Sequence, residues 1–106
     1  MNWIELNSVH QLAEIKEFSK SRVQVIFKHS TRCSLSTIAK NRLERIEQPE
    51  STDFYFLDLI QFRSLSNKIA EDFAIPHESP QILLIKNMEC VYEESHNGIN
   101  MAEIAE

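Results

Sequence analysis

Cysteine and long apolar runs are scarce in this chain of 106 residues, and each shortage excludes a class of protein. Two cysteines cannot build a disulfide scaffold, and Cys33 and Cys90 lack the spacing to each other and to histidine of a structural zinc site. No apolar run approaches the roughly 18 residues that cross a bilayer. The first residues also lack the basic stretch and apolar core of a secretory signal. We therefore expect a cytoplasmic protein with reduced thiols and no membrane contact.

The overall composition is that of an ordinary globular domain. Hydrophobic residues make up 42% of the chain and charged residues 25%, which predicts one domain spanning residues 1–106. The net charge of −5 argues against general binding of nucleic acid. The segment Lys20–Arg45, however, carries seven bases and the single acid Glu44. These bases are either solvated side chains, or a positive field that favours a thiolate at Cys33 and an anionic partner.

Strand and helix patterns alternate along the chain. Apolar, β-branched or aromatic runs predict strands at Trp3–Leu6, Val23–Phe27, Phe54–Leu59, Gln81–Ile85 and Cys90–Tyr92. Helical spacing follows in the sets Val9/Leu12/Ile15/Phe18, Leu35/Ile38/Ala39/Leu43/Ile46, Phe62/Leu65/Ile69/Phe73 and Ile99/Met101/Ile104. The order β-α-β-α-β-α-β-β-α predicts an α/β fold with a central mixed sheet and helices on both faces. Function is then expected in the loops at the carboxyl ends of the central strands.

A polar loop, Lys28–Arg32, is predicted between the second strand and the second helix, and Cys33 follows it. The unpaired N–H groups and the dipole of a helix start favour a charged sulfur, and Arg32 and His29 can add positive charge. A thiolate so placed is a nucleophile toward disulfides. The alternative, a small buried apolar residue, fits less well because Cys33 lies off the apolar stripe of the helix.

Ser36 stands where a second cysteine would complete a Cys-x-x-Cys pair. A lone Cys33 must remain in a mixed disulfide until an outside thiol attacks it. Ser36 can donate a hydrogen bond to the Cys33 sulfur, or it can satisfy the backbone at the helix start. His29 is either a partner of the thiolate or, more commonly for such a position, a solvated residue at a strand end. The residues leave both pairs of alternatives open.

At these residues the chain resembles the thioredoxin fold and, more narrowly, the monothiol bacilliredoxins, the YtxJ-like proteins of the bacillithiol system. The matching stretches are residues 27–36 (FKHSTRCSLS), residues 79–81 (SPQ) and residues 95–96 (SH) ahead of Ile99. The resemblance spans nearly the whole chain, and its most specific part is the first stretch.

The resemblance implies a small thioltransferase that uses Cys33, with Ser36, to remove bacillithiol or a similar thiol from oxidised proteins. It implies a substrate-binding surface, for which we assign His29, Thr31, Arg32, Ser79 and Pro80, and a cis peptide bond before Pro80. A low-molecular-weight thiol would be the co-substrate, with no bound cofactor and no metal. The expected partners are S-thiolated proteins, the chain being a monomer or weak dimer, and the expected setting is a stress response. His96 matches the motif without a role that we can derive.

Two other functions compete with this one. A non-catalytic adaptor or redox sensor would have Cys33 merely modified under oxidation. A peroxidase-like cysteine is weaker, because no second cysteine is placed to resolve a sulfenic acid. Cys90 lies in a predicted edge strand and is expected to be a small apolar residue rather than a resolving thiol. His10, His77 and His96 are scattered and show no metal-ligand spacing.

Overall fold

The computed structural model describes residues 1–99 and 101–105, so residues 100 and 106 of the predicted domain lie outside it. Its elements in chain order are β1 (Trp3–Glu5), α1 (Val9–Phe18), β2 (Val23–His29), α2 (Ser34–Glu44), β3 (Thr52–Asp58), α3 (Arg63–Phe73), β4 (Gln81–Lys86), β5 (Glu89–Ser95) and α4 (Met101–Ala105), with a single 3₁₀ turn at His96–Gly98 before α4. The predicted alternation of strands and helices is confirmed. Within the described ranges, no helix is both long enough and apolar enough to cross a membrane.

The five strands form one mixed sheet in the order β1-β3-β2-β4-β5. β2 runs parallel to β3 and antiparallel to β4, with His29 opposite Asp58 and Lys28 opposite Gln81. Gln81 in turn pairs with Ser95 of the antiparallel β5. The ends of β2, β3 and β5 and the start of β4 therefore meet at one edge of the sheet. We call this edge, with the loops 30–33, 59–62 and 76–80, the Cys33 edge.

The core has two layers, one on each face of the sheet. One layer contains Ile26 of β2 with residues of α1 and α3, and the other contains Phe27 with residues of α2 and Ile104 of α4. Successive side chains of a strand point to opposite faces, so a central strand covered on both faces must be apolar throughout. This explains the unbroken apolar run at the start of β2.

Near Cys33, the predicted end of β2 and the predicted buried face of α2 were wrong. β2 continues to His29, and both Lys28 and His29 are buried rather than part of a polar loop. The buried face of α2 consists of Ser36, Ala39 and Leu43, whereas the predicted stripe residues Leu35, Ile38 and Ile46 are exposed by 41–53%. Hydrogen bonds between Ser36 and residues at the end of β2 explain this difference, because they fix the rotation of α2 about its axis.

Candidate functional site

Cys33 is the residue at the N-terminal end of α2. It has an extended backbone (φ −111°, ψ 116°), and its carbonyl accepts the N–H groups of Ser36 at 3.1 Å and Thr37 at 3.3 Å. The thiol is free and only partly buried, and its side chain makes no capping hydrogen bond. The sulfur thus occupies the position that a capping side chain normally fills, beside the N-terminal end of the helix dipole. The predicted placement of Cys33 is confirmed.

The Ser36 hydroxyl bonds to the end of β2. It is fully buried, accepts the Ser30 N–H at 3.0 Å and lies 2.6 Å from Nδ1 of His29. The alternative that Ser36 satisfies the local backbone is therefore the one that the structure favours. Its hydroxyl therefore stabilises the loop before Cys33 through Ser30 and His29.

His29 is 6% exposed, so the expected solvated histidine is wrong. Its ring packs against Phe56, with ring centroids 5.1 Å apart. Burial lowers the pKa of His29, the positive charge of Lys40 lowers it further, and Asp58 opposes both. The imidazole is consequently neutral at pH 7 and adds no positive charge beside Cys33, contrary to the sequence-based expectation.

The lowered pKa of His29 predicts a loss of stability in acid. The unfolded chain takes up a proton near pH 6.5 and the folded chain only below that, so the free energy of unfolding falls as the pH drops from about 6.5. We expect the free energy of unfolding, measured with urea, to decrease less between pH 7.5 and pH 5.5 in His29→Gln than in the wild type. His10→Gln, at an exposed histidine of α1, should keep the wild-type response. If the decrease in His29→Gln equals that of the wild type, His29 is not the group that destabilises the protein in acid.

The peptide bond between Ser79 and Pro80 is cis, as predicted. This turn comes directly before β4, so the sheet register places it at the Cys33 edge. The Pro80 carbonyl accepts the backbone N–H of His96 at 3.0 Å, so His96 is tied to the turn through its backbone. The Ser79 hydroxyl oxygen is buried and has no hydrogen-bond partner within the described residues.

The basic segment does not form one positive patch around Cys33. Thr31 and Arg32 are exposed in the loop before it. Three of the other cations pair with carboxylates: Lys20 with Glu17, Arg22 with Asp53 and Lys40 with Glu44. Lys20 and Arg22 also precede β2 and so lie at the opposite end of the sheet. The net charge of the segment is thus distributed over both ends of the molecule.

Cys90 lies far from Cys33. It pairs with Ile85, which pairs with Gln24 near the start of β2. Lys28 is four residues further along that strand, about 13 Å away at roughly 3.3 Å per residue. A disulfide needs Cα atoms within about 7 Å. The Cys90 thiol packs against the core, and burial raises its pKa. The structure thus supports the interpretation of Cys90 as a small apolar residue.

A second polar group at the Cys33 edge was not predicted from the sequence. Lys28 is fully buried, and its Nζ donates to the Ser66 carbonyl oxygen at 3.2 Å and contacts Nδ1 of His77 at 3.3 Å. Burial, and to a lesser degree the charge of Arg63, lowers the pKa of Lys28 from 10.5 to about 8. The pairing joins residues 49 positions apart. The burial of Lys28 was not expected because β2 was predicted to end at Phe27, with Lys28 in a polar loop.

A cleft of about 380 Å³ opens on the α2 side of the Cys33 edge. It is lined by Trp3, Glu5, Lys40, Phe56, Asp58 and Gln61. Lys40 Nζ lies over both aromatic rings, 5.9 Å and 5.6 Å from their centroids. Within the part of the chain that is described, no group of three or more His, Cys, Asp or Glu residues is placed to hold a metal ion.

Known structures share this fold. A thioredoxin-fold protein described as a candidate oxidoreductase is 31% identical, with a TM-score of 0.85 over 97% of this chain and 90% of that one. Thioredoxin from Malassezia sympodialis is 16% identical, with a TM-score of 0.77 over 99% of this chain and 87% of that one. Spinach chloroplast thioredoxin f is also 16% identical, with a TM-score of 0.73 over 97% and 89%. The last two likenesses concern the fold alone.

The sequence family that matches is described as monothiol bacilliredoxin BrxC, and the match covers residues 4–104. That range includes every element from α1 to β5, all of β1 except Trp3, and the whole Cys33 edge. The family and the fold together support a thiol-redox function. The chain therefore belongs to the monothiol bacilliredoxin family and has a thioredoxin fold.

Proposed function

We propose that this protein is a monothiol thioltransferase that removes a low-molecular-weight thiol, bacillithiol or a similar molecule, from S-thiolated proteins. The observation that carries the proposal is the position of Cys33, a free and partly exposed thiol at the N-terminal end of α2. Ser36 replaces a second thiol and is itself bonded to His29. A thiol that has no second cysteine within disulfide distance fits a reducing compartment such as the cytoplasm.

The reaction consists of two thiol–disulfide exchanges. The Cys33 thiolate attacks the sulfur of the small thiol in the protein mixed disulfide, a new S–S bond forms, and the protein thiolate leaves and takes a proton from solvent. A second small thiol, as its thiolate, then attacks the small-thiol sulfur of the Cys33 adduct. It leaves as the symmetric disulfide and restores the Cys33 thiolate. No second cysteine of the chain takes part.

Intact mass spectrometry tests the proposal and identifies the small thiol. The reduced protein is incubated separately with the disulfides of bacillithiol, glutathione and coenzyme A, and then with the matching thiol. We expect one adduct per chain, mapped to Cys33, and rapid discharge by the thiol that the protein uses. The Cys90→Ser variant is the matched control and should behave as the wild type, since Cys90 lies at the other end of the sheet.

Two results would overturn the proposal. If none of the three disulfides modifies Cys33, the protein is not a thioltransferase for small thiols. If an adduct forms but no thiol discharges it faster than it discharges a small-molecule disulfide, Cys33 acts as a sensor rather than as a catalyst.

A further inference from the structure

Lys28 is a buried cation that the exchange reaction does not use. Within the described residues, no carboxylate lies within 4 Å of its Nζ, although it is fully buried. Its two hydrogen-bond partners are the Ser66 carbonyl and the His77 ring. Both are neutral at pH 7, because burial and the charges of Lys28 and Arg63 lower the pKa of His77, and Glu78 only partly opposes them. A buried charge without an opposite charge reduces stability, so stability does not account for Lys28.

His77 connects Lys28 to the Cys33 edge. An ammonium can only donate, so Nδ1 of His77 accepts from Lys28 and the proton of the neutral ring sits on Nε2. His77 is only partly buried and belongs to the loop that leads to Pro80. The ring therefore carries an N–H donor whose orientation is fixed by the buried Lys28.

Arg63, the first residue of α3, brings a second positive charge to the same place. It is exposed, and its charge acts on both Lys28 and His77. Ser66, one turn later, also contacts Nδ1 of His77 at 3.3 Å. We call Lys28, Arg63 and His77 the cationic cluster.

The cationic cluster lies beside the Ser79–Pro80 turn. Lys28 is opposite Gln81 in the sheet, directly after that turn, and Cys33 follows Lys28 after a short loop. In the same turn the Ser79 hydroxyl is buried without a partner, and a buried polar atom of this kind indicates a missing ligand or water. The cleft on the α2 side contains the carboxylates of Glu5 and Asp58, and its lining cation Lys40 is already paired with Glu44, so the cleft offers an anion less than the cationic cluster does.

We propose that the cationic cluster binds the carboxylate groups of the small thiol that exchanges at Cys33. Arg63 and the Nε2–H of His77 contact the carboxylate, and the buried charge of Lys28 attracts it without touching it. This inference rests on the proposed function, and it names an anionic thiol as the co-substrate. The bound thiol takes part in the second exchange. Its thiolate attacks the small-thiol sulfur of the Cys33 adduct, a new S–S bond forms, and the bond to Cys33 breaks. The products are a small-molecule disulfide and the Cys33 thiolate.

Discharge rates of a neutral adduct test the subsite. The Cys33 thiol is converted to its mixed disulfide with 2-mercaptoethanol, and discharge is followed by intact mass with glutathione, which is anionic, or with 2-mercaptoethanol, which is neutral. We expect Arg63→Gln and Lys28→Met each to lower the glutathione to mercaptoethanol rate ratio about five-fold, the effect of one charge at ~7 Å in a partly solvated site. Added salt should lower the same ratio in the wild type. Arg45→Gln, at an exposed arginine at the far end of α2, is the matched control and should leave it unchanged.

Binding of S-methylglutathione, which cannot exchange, gives a readout independent of activity. NMR of the wild type should show shifts of the His77 ring on titration, and these should weaken in Arg63→Gln. If Cys33 exchanges normally but the rate ratio does not change in the two variants, the subsite is wrong and the proposed function stands. If Cys33 never exchanges, the proposed function fails, and the titration alone decides whether the cluster binds an anion. If the His77 ring does not respond at all, the cluster is not the subsite.

Discussion

Cys33→Ser is expected to abolish removal of the small thiol from a model S-thiolated protein, with a loss of at least about 10³-fold in rate. A serine hydroxyl is not ionised at neutral pH and cannot form the disulfide intermediate, and removal of the covalent nucleophile eliminates the catalysed path. The free energy of unfolding should stay within about 0.5 kcal/mol, because the Cys33 side chain is partly exposed and makes no capping hydrogen bond.

The measurement is the initial rate of dethiolation with the small thiol in excess, compared with the rate without enzyme. Cys90→Ser is the control for loss of a thiol as such, and Ser36→Ala controls for the neighbouring hydroxyl. Ser36→Ala should retain most of the activity but lose about 1–3 kcal/mol of stability, since it leaves His29 and the Ser30 N–H without their buried partner. Residual turnover in Cys33→Ser would assign the chemistry to another residue.

Lys28→Met is expected to stabilise the protein by about 2–3 kcal/mol at pH 7. The shift of the Lys28 pKa from 10.5 to about 8 corresponds to roughly 3 kcal/mol of unfavourable burial, and loss of the bond to Ser66 offsets part of the gain. The destabilisation is complete below pH 8, where folded and unfolded chains both carry the charge. It declines between pH 8 and 10.5, because the folded chain loses the proton first.

Urea unfolding at pH 7 and pH 10 measures whether Lys28→Met raises the free energy of unfolding and whether the increase is smaller at the higher pH. The difference in the free energy of unfolding between Lys28→Met and the wild type should be smaller at pH 10 than at pH 7. Lys86→Met, at an exposed lysine of the same sheet, is the control and should change stability by less than about 0.5 kcal/mol. A destabilised Lys28→Met protein would show that the ammonium has a compensating partner. A stabilised variant that also loses its preference for an anionic thiol would show a trade of stability for function.

Part of the site follows from local sequence. The Cys-x-x-Ser spacing and the start of a helix after a β-branched strand place Cys33 at a helix N-terminus, and the structure agrees. The rotation of α2 does not follow, because Leu35 and Ile38 fit an apolar stripe as well as Ala39 and Leu43 do. The hydrogen bonds of Ser36 to His29 and Ser30 decide which stripe is buried. Such bonds cross from helix to strand and leave no periodic signal.

The order of strands and helices, the mixed sheet and the position of Cys33 at a helix start were determined by the sequence alone, because apolar periodicity and turn residues act between near neighbours. The burial of Lys28 and His29, the lowered pKa values of His29 and His77 and the contact of Lys28 with His77 were decided only by tertiary structure. Strand register joins segments that are distant in the chain, and the loss of water around a polar group depends on everything packed over it. Both are properties of the assembled sheet and its helices, and neither is a property of any single segment.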